Sequence, residues 1–196
     1  MKRALLCAIA LLAAAAALAG PPLAAPITET ARSGASYYNG RAGNSWSYDA
    51  GKGKAKVVVE GVEDWKARFH IEWGKKSVTG TWRVRDGAWV QKLPAHEESV
   101  VLPAQVVVGA RWTGAPSVER GGEAASQYEV ISLDASVELP GGSTKDGCVA
   151  VLETGGDRGP VTHFYAPNSG KIAVQGPEGW MLRLLEFRSG SRGGGE

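Results

Sequence analysis

Strict alternation of apolar and polar side chains over residues 65–73 is the feature that most constrains the fold of this chain. The apolar members are Trp65, Ala67, Phe69, Ile71 and Trp73. A period of two places such side chains on one face of an extended strand. After a turn at residues 74–76, the alternation resumes at Val78, Gly80, Trp82 and Val84. The pattern predicts two paired strands on which Trp65, Trp73 and Trp82 share a face.

The rest of the chain shows almost no helical periodicity, and turn signals recur about every ten residues, as in a β-meander. Asp86-Gly87 is a strong hairpin signal because both residues tolerate positive φ. Residues 105–112 form a mostly apolar run that predicts a buried strand. Residues 127–139 alternate, with Ile131, Leu133, Ala135, Val137 and Leu139 predicted to point inward. We expect an all-β fold, a strongly curved antiparallel sheet of about ten strands forming an open half-barrel.

The N-terminus has the organisation of an export signal. Lys2 and Arg3 precede an apolar run over residues 4–18, and small residues at 17–19 suit a signal peptidase. We expect an N-terminal signal helix at residues 1–19, cleavage before Gly20 and a periplasmic or secreted location, with no transmembrane span after cleavage. An uncleaved anchor is the alternative. Composition divides the remainder into a flexible leader at 20–36, one β-domain at 37–188 and a disordered Gly-Ser tail at 189–196.

Charge and cysteine content exclude several classes of protein. Removal of Lys2 and Arg3 reduces the 22 basic side chains to 20, which equals the 20 acidic ones. The mature chain is therefore neutral, and with no basic cluster interleaved with aromatics we expect no nucleic-acid partner. Cys148 is the one cysteine left after signal cleavage, so no intramolecular disulfide can form. It opens an apolar strand and is predicted to pack in the core.

No pattern in the sequence identifies catalytic, metal-binding or cofactor-binding residues. The histidines are His70, His96 and His163, and none belongs to a nucleophile elbow or a zinc motif. His70 and Glu72 share a strand face, which favours a surface charge pair. We therefore expect no enzyme activity, no metal and no cofactor, although paired carboxylates brought together by folding would be invisible at this level.

The chain contains seven tryptophans, a high number for its length. Each can bury about 150–250 Å², so most of them are expected to be core residues of a sheet protein without disulfides. A curved sheet without a helical layer also leaves its concave face partly uncovered. The hypothetical ligand-binding residues of such an apolar groove are Trp65, Phe69, Trp73, Trp82 and Trp89.

Three segments resemble an uncharacterised family of exported bacterial β-rich domains. Residues 43–48 match its Gly-Asn-x-Trp-x-Tyr start, residues 140–148 are similar to its Pro-x-Gly-x4-Cys middle, and residues 165–170 match its Tyr-Ala-Pro-x-x-Gly end. The chain departs from the family pattern at Asn39, Gly141 and Phe164. The resemblance implies an antiparallel half-barrel like that of the periplasmic lipoprotein carriers LolA and LolB, and it brings no catalytic residues.

These observations predict a non-enzymatic exported binding protein for an apolar ligand, such as a lipid or acyl chain, or for an envelope protein. A large cavity lined by tryptophans would favour this function. A filled interior with an exposed apolar edge would favour a structural or assembly subunit that docks through a sheet edge. A cleft in which His70 or His163 faces a carboxylate would favour a hydrolase.

Overall fold

The computed structural model describes residues 31–51, 53–119, 124–155 and 159–190. Within them lie a short 3-10 helix, Gly34–Tyr37, and twelve strands joined in one antiparallel sheet. The strands are β1 (Ser45–Asp49), β2 (Lys54–Glu63), β3 (Lys66–Trp73), β4 (Lys76–Arg85), β5 (Ala88–Lys92), β6 (Ser99–Leu102), β7 (Arg111–Gly114), β8 (Ser126–Glu138), β9 (Thr144–Thr154), β10 (Val161–Ala166), β11 (Gly170–Gly176) and β12 (Gly179–Arg188).

Two meanders are joined through β1 and β12, the first and last strands along the chain. Their order is β6-β5-β4-β3-β2-β1-β12-β11-β10-β9-β8-β7. β1 pairs with β2 on one side and with β12 on the other, and Trp46 is the partner of both Val57 and Phe187. One half of the barrel is therefore β1–β6 and the other half is β7–β12.

The two outer strands of the sheet, β6 and β7, approach each other and nearly close the barrel. The indole Nε1 of Trp112 on β7 donates a hydrogen bond to the carbonyl oxygen of Val100 on β6, at 3.0 Å. A curved sheet closed in this way encloses its concave face between the two halves.

The antiparallel order places alternate connections at opposite ends of the barrel. The connections after β1, β3, β5, β7, β9 and β11 lie at the end that we call the mouth. The connections after the even-numbered strands lie at the other end, the base. The segment before β1 also enters at the base.

Residues 32–38 cross the base and fasten to three of its turns. Backbone hydrogen bonds join Ala35 to Gly87 at 3.0 Å, Gly34 to Pro103 at 3.1 Å and Asn168 to Ser36 at 3.2 Å. Tyr37 is fully buried in this plug and packs among Trp89, Leu102 and Val106. The base is therefore covered.

The all-β class and the strong curvature are confirmed, and two finer expectations need correction. The sheet has twelve strands rather than about ten, and its outer strands approach each other, so the barrel is nearly closed rather than an open half-barrel. The prediction of one strand over residues 105–112 is wrong. Val106 makes a single bridge to Arg32, Gly109 takes φ of 84° in a turn, and β7 begins only at Arg111.

In β8, the predicted inward alternation fails at Ile131, which is 44% exposed, whereas Leu133 is buried as predicted. The physical reason is a set of register shifts against β9 between Val130 and Val137. Each bulge adds a residue to one strand and reverses the faces of those that follow. Cys148 is fully buried in an apolar cluster, as predicted, and burial raises the pKa of its thiol to about 11.

The signal peptide predicted at 1–19 lies outside the described residues, as do residues 20–30 of the leader and 191–196 of the tail. Residues 32–36, also assigned to the leader, belong to the base plug. Among the described residues, no helix has the length and apolarity needed to cross a membrane.

Trp65 does not begin a strand, which is a further correction. It lies in the β2–β3 turn at the base with φ of 61°, next to Asp64 at 48°, and is 90% exposed. The Asp86-Gly87 turn between β4 and β5 also has two positive φ values, 50° and 79°, and confirms the predicted hairpin. A bulky residue in this region is strained, and glycine is not.

Replacing Trp65 with glycine should therefore raise the free energy of unfolding by about 1 kcal/mol, because strain is removed and almost no packing is lost. The matched change Gly87→Ala should lower it by a similar amount. Urea unfolding followed by circular dichroism measures both. A loss of stability in Trp65→Gly would show that the tryptophan supports the turn.

Candidate functional site

The barrel encloses a cavity of about 80 Å³, which we call the chamber. One side of it consists of aromatic residues from β1, β3, β4 and β5, and the other consists mainly of polar residues from β10, β11 and the β7–β8 connection. The lining includes Trp46, Trp73, Trp82, Trp89, Ser117, Glu119, His163, Tyr165 and Lys171.

The aromatic side of the chamber is a chain of edge-to-face contacts across the barrel. Ring centroids are 6.0 Å apart for Trp46 and Trp82, 5.6 Å for Trp82 and Trp89, and 5.8 Å for Trp89 and Tyr165. Phe69 stacks on Trp82 at 4.1 Å. Such contacts stabilise pairs beyond their buried area, so the walls are held in place without a ligand.

A fully buried histidine–carboxylate pair lies on the polar side. His163 Nε2 on β10 donates to Glu153 Oε2 on β9 at 2.7 Å, and the two side chains are 1% and 0% exposed. The other carboxylate oxygen, Oε1, accepts from the backbone N–H of Ser117 at 3.1 Å and from the hydroxyl of Ser126 at 2.7 Å. Both oxygens of Glu153 are thus satisfied, as a buried charge requires.

These contacts decide the ionisation of Glu153. Burial raises its pKa, but the hydrogen bond and charge of His163 and the hydrogen bonds from Ser117 and Ser126 outweigh burial. The pKa falls from its ordinary value of 4.5 to about 2. Glu153 is therefore an anion at neutral pH, and it holds the described part of the β7–β8 connection against the barrel interior.

A second buried pair also involves the β7–β8 connection. Lys171 Nζ on β11 donates to Glu119 Oε1 at 2.9 Å, and the Glu119 side chain is only 8% exposed. Burial raises the pKa of Glu119, whereas the charges of Lys171 and His163 lower it, with a net lowering. The backbone carbonyl of Lys171 also accepts from the Tyr48 hydroxyl at 2.8 Å, which fixes β11 against β1.

Four buried polar atoms on residues that line the chamber have no hydrogen-bond partner. They are Nε1 of Trp82, Nε1 of Trp89, Oε2 of Glu119 and Nδ1 of His163. Unsatisfied buried polar atoms are rare because each costs about 1–3 kcal/mol. All four atoms are covered by neighbouring protein atoms rather than open to the cavity, and each is a cost to the fold.

The contacts do not form a nucleophile–base pair. The Ser126 hydroxyl bonds to Glu153 rather than to His163, so the carboxylate lies between the hydroxyl and the imidazole. A serine hydrolase needs the imidazole in that central position. His70 lies apart, with Nε2 at 3.5 Å from Glu72 Oε1 on the same strand. In the described part of the chain, no group of three His, Cys, Asp or Glu side chains is placed to hold a metal ion.

Above the chamber, at the mouth, lies a wider pocket of about 950 Å³. Apolar side chains from β3, β4, β12 and the mouth connections line much of it, namely Ile71, Trp73, Val78, Leu93, Pro94, Pro116, Val118 and Met181. Residues 117–119, Ile71 and Trp73 line both spaces, so the mouth pocket and the chamber share a wall.

The structure brings together three of the five residues predicted to contact a ligand. Trp73, Trp82 and Trp89 line the chamber, and Trp73 also reaches the mouth pocket. Phe69 is fully buried behind Trp82 and supports its ring. Trp65 stands apart, exposed at the base.

Sequence reasoning missed Glu119, Glu153 and Lys171 as interior residues. Glu153 was detectable, because it continues the alternation of Val149 and Val151, which are buried within the barrel. His163 precedes Tyr165 by two residues on the same strand, so its side chain points inward as well. Glu119 lies in a connection without periodicity, so no sequence pattern could have placed it inside.

Comparison of the chain with protein-family models, with curated proteins and with solved structures finds no significant match.

Replacement of Glu153 with glutamine should change the pH dependence of stability. A carboxylate whose pKa is lower in the folded than in the unfolded state stabilises the fold above pH 4.5, and this contribution is lost as pH falls towards 2. The variant should therefore be less stable than wild type at pH 7, by about 3 kcal/mol, and the difference should shrink towards pH 2.

Urea unfolding at several pH values between 7 and 2 measures this difference. The control is Glu186→Gln, which removes an exposed pair with Arg188 and should follow the wild-type profile closely. A constant difference between Glu153→Gln and wild type at every pH would contradict the assigned ionisation.

Proposed function

We propose that this chain is an exported, non-enzymatic binding protein that holds an acyl chain or a similar apolar ligand in the mouth pocket. The observation that carries the proposal is the open apolar space of about 950 Å³ next to an aromatic chamber. Sites for small organic ligands have volumes of about 300–1,000 Å³ and are lined mainly by apolar side chains with a few polar groups. Both spaces together fit that description.

The distribution of covered and open surfaces also supports binding through the mouth. The base is crossed by residues 32–38, and the seam between β6 and β7 is bridged by Trp112. A ligand entering from the mouth would meet a largely apolar wall, with Lys75, Lys76 and Glu119 among its charged members. The predicted export signal and the resemblance to exported half-barrel domains agree with a carrier or receptor of lipids outside the cytoplasm.

The alternative is an assembly subunit that docks through a sheet edge. The observation in its favour is that β6 and β7 are the outer strands of the sheet. They are only four residues long and face each other across the seam, so the edge offered to a partner strand is short. Ligand binding in the barrel therefore explains more of the structure.

The proposal predicts that the purified protein binds Nile red, a neutral lipid-mimetic fluorophore, and that lauryl-chain compounds displace it. Val78→Glu puts a charge among the apolar side chains of the mouth pocket and should weaken binding at least tenfold, because contact with an apolar ligand removes hydration from the carboxylate. Val84→Glu is the matched control on the same strand, since Val84 is 40% exposed and lies outside the pocket.

Fluorescence titration of Nile red measures both variants, and circular dichroism verifies that they are folded. Absence of binding by the wild type would refute the proposal. Equal weakening in Val78→Glu and Val84→Glu would locate the probe elsewhere on the protein.

A further inference from the structure

The charged side chains that line the mouth pocket leave an excess of positive charge. They are Lys75, Lys76 and Glu119, and His96 is the remaining titratable residue of the lining. Glu119 is neutralised by Lys171, whose Nζ lies 2.9 Å from its carboxylate. In contrast, no carboxylate in the described part of the chain forms a salt bridge with Lys75 or Lys76. Two ammonium groups of the pocket are therefore unbalanced by described residues.

Strand register places Lys76 on the concave face of the sheet. It lies directly opposite Trp73, and residues directly opposite each other in an antiparallel pair share a face. Trp73 lines both the mouth pocket and the chamber, so this face looks into the barrel. Lys75 is the adjacent residue in the β3–β4 turn, at the mouth end of the barrel. Both lysines are exposed, so they form a charged rim that stays in contact with water.

From this rim the pocket becomes apolar along β4. Val78 follows Lys76 by two residues on the same face, about 7 Å further from the mouth, and it lies opposite Ile71. Both Val78 and Ile71 line the pocket. The order of charged rim and apolar interior matches a molecule with an anionic head and an apolar chain, provided that the head stays at the mouth.

Acidic residues near the two lysines in the fold do not cancel this charge inside the pocket. Glu72 precedes Trp73 on β3 and therefore points to the outer face, where its Oε1 lies 3.5 Å from His70. Glu97 and Glu98 line a different pocket, and Glu98 is paired with Arg83 at 2.7 Å.

We propose that the ligand of the mouth pocket is an amphiphile whose acyl chain carries an anionic head group, a carboxylate or a phosphate, which Lys75 and Lys76 hold at the rim. The chain lies against Ile71, Val78 and Trp73. A cationic head group in the same place is repelled by both lysines, and a neutral one gains nothing from them. This inference rests on the proposed function, because it assumes that the mouth pocket holds an acyl chain.

A series of competitors with the same twelve-carbon chain tests the head group in the wild-type protein. Laurate, dodecyl phosphate, dodecanol and dodecyltrimethylammonium are titrated against bound Nile red at pH 7, below their critical micelle concentrations. We expect the tighter of the two anions to bind at least tenfold more tightly than the cation, and that anion identifies the head group. Equal affinities for anions and cation would overturn the inference and leave the proposed function standing. If no compound displaces Nile red, the proposed function fails and the inference fails with it.

A pair of lysine-to-glutamine changes tests whether the rim lysines hold the head group. Lys76→Gln removes a charge from the pocket. Lys54→Gln removes the same charge from an exposed residue that lines neither space and precedes the inward-facing Ala55 on β2, so it points outward.

The readout is the ratio of the dissociation constants of the tighter anion and dodecanol within each variant, because this ratio cancels general losses of stability. Lys76→Gln should reduce the preference for the anion about fivefold, the equivalent of one exposed ion pair, and Lys54→Gln should leave it unchanged. An unchanged ratio in Lys76→Gln, or an equal change in Lys54→Gln, would overturn the assignment. Circular dichroism verifies folding, and the wild-type series decides the question if a variant fails to fold.

Discussion

The pairing of β1 with β12 is the interaction on which the rest of this structure depends. It joins strands from opposite ends of the described chain, with Ser45 opposite Arg188, and makes two separate meanders into one barrel. A contact so distant in sequence carries a large loop-closure cost and forms after local hairpins. Without it, the tryptophans of β4 and β5 and the polar side chains of β9, β10 and β11 would not face each other.

The two halves of the barrel contribute different kinds of side chain to the interior. The β1–β6 half supplies Trp46, Trp73, Trp82 and Trp89, whose mutual packing stabilises a sheet that has no disulfide. The β7–β12 half contributes the buried pairs. Such pairs add little to the free energy of unfolding unless each of their polar atoms has a hydrogen-bond partner. Glu153 meets that condition. Glu119, His163 and the indoles of Trp82 and Trp89 each leave one polar atom without a partner, which costs stability.

Two positions at the base, Gly34 and Trp65, differ in whether the structure has room for a side chain. Gly34 lies so close to the 102–103 backbone that an added Cβ would be 2.5 Å from the Pro103 carbonyl oxygen, so the base plug fits only without a side chain. Trp65, in contrast, occupies a glycine-like conformation and is almost fully exposed. Nothing in the barrel requires that side chain, and its position far from the mouth separates it from the other tryptophans of the predicted groove.

The sequence by itself determined the all-β class, the Asp86-Gly87 hairpin, the buried Cys148 and the alternation of β3 and β4, because pleating imposes a period of two on any half-buried strand. Only the tertiary structure decided the near closure of the barrel, the exposure of Ile131 and the entry of Glu119 into the interior. Bulges change the face of a strand without a sequence signal. Buried ion pairs join residues that are distant along the chain, such as Glu119 and Lys171, so their partners become visible only when the β7–β12 half has folded.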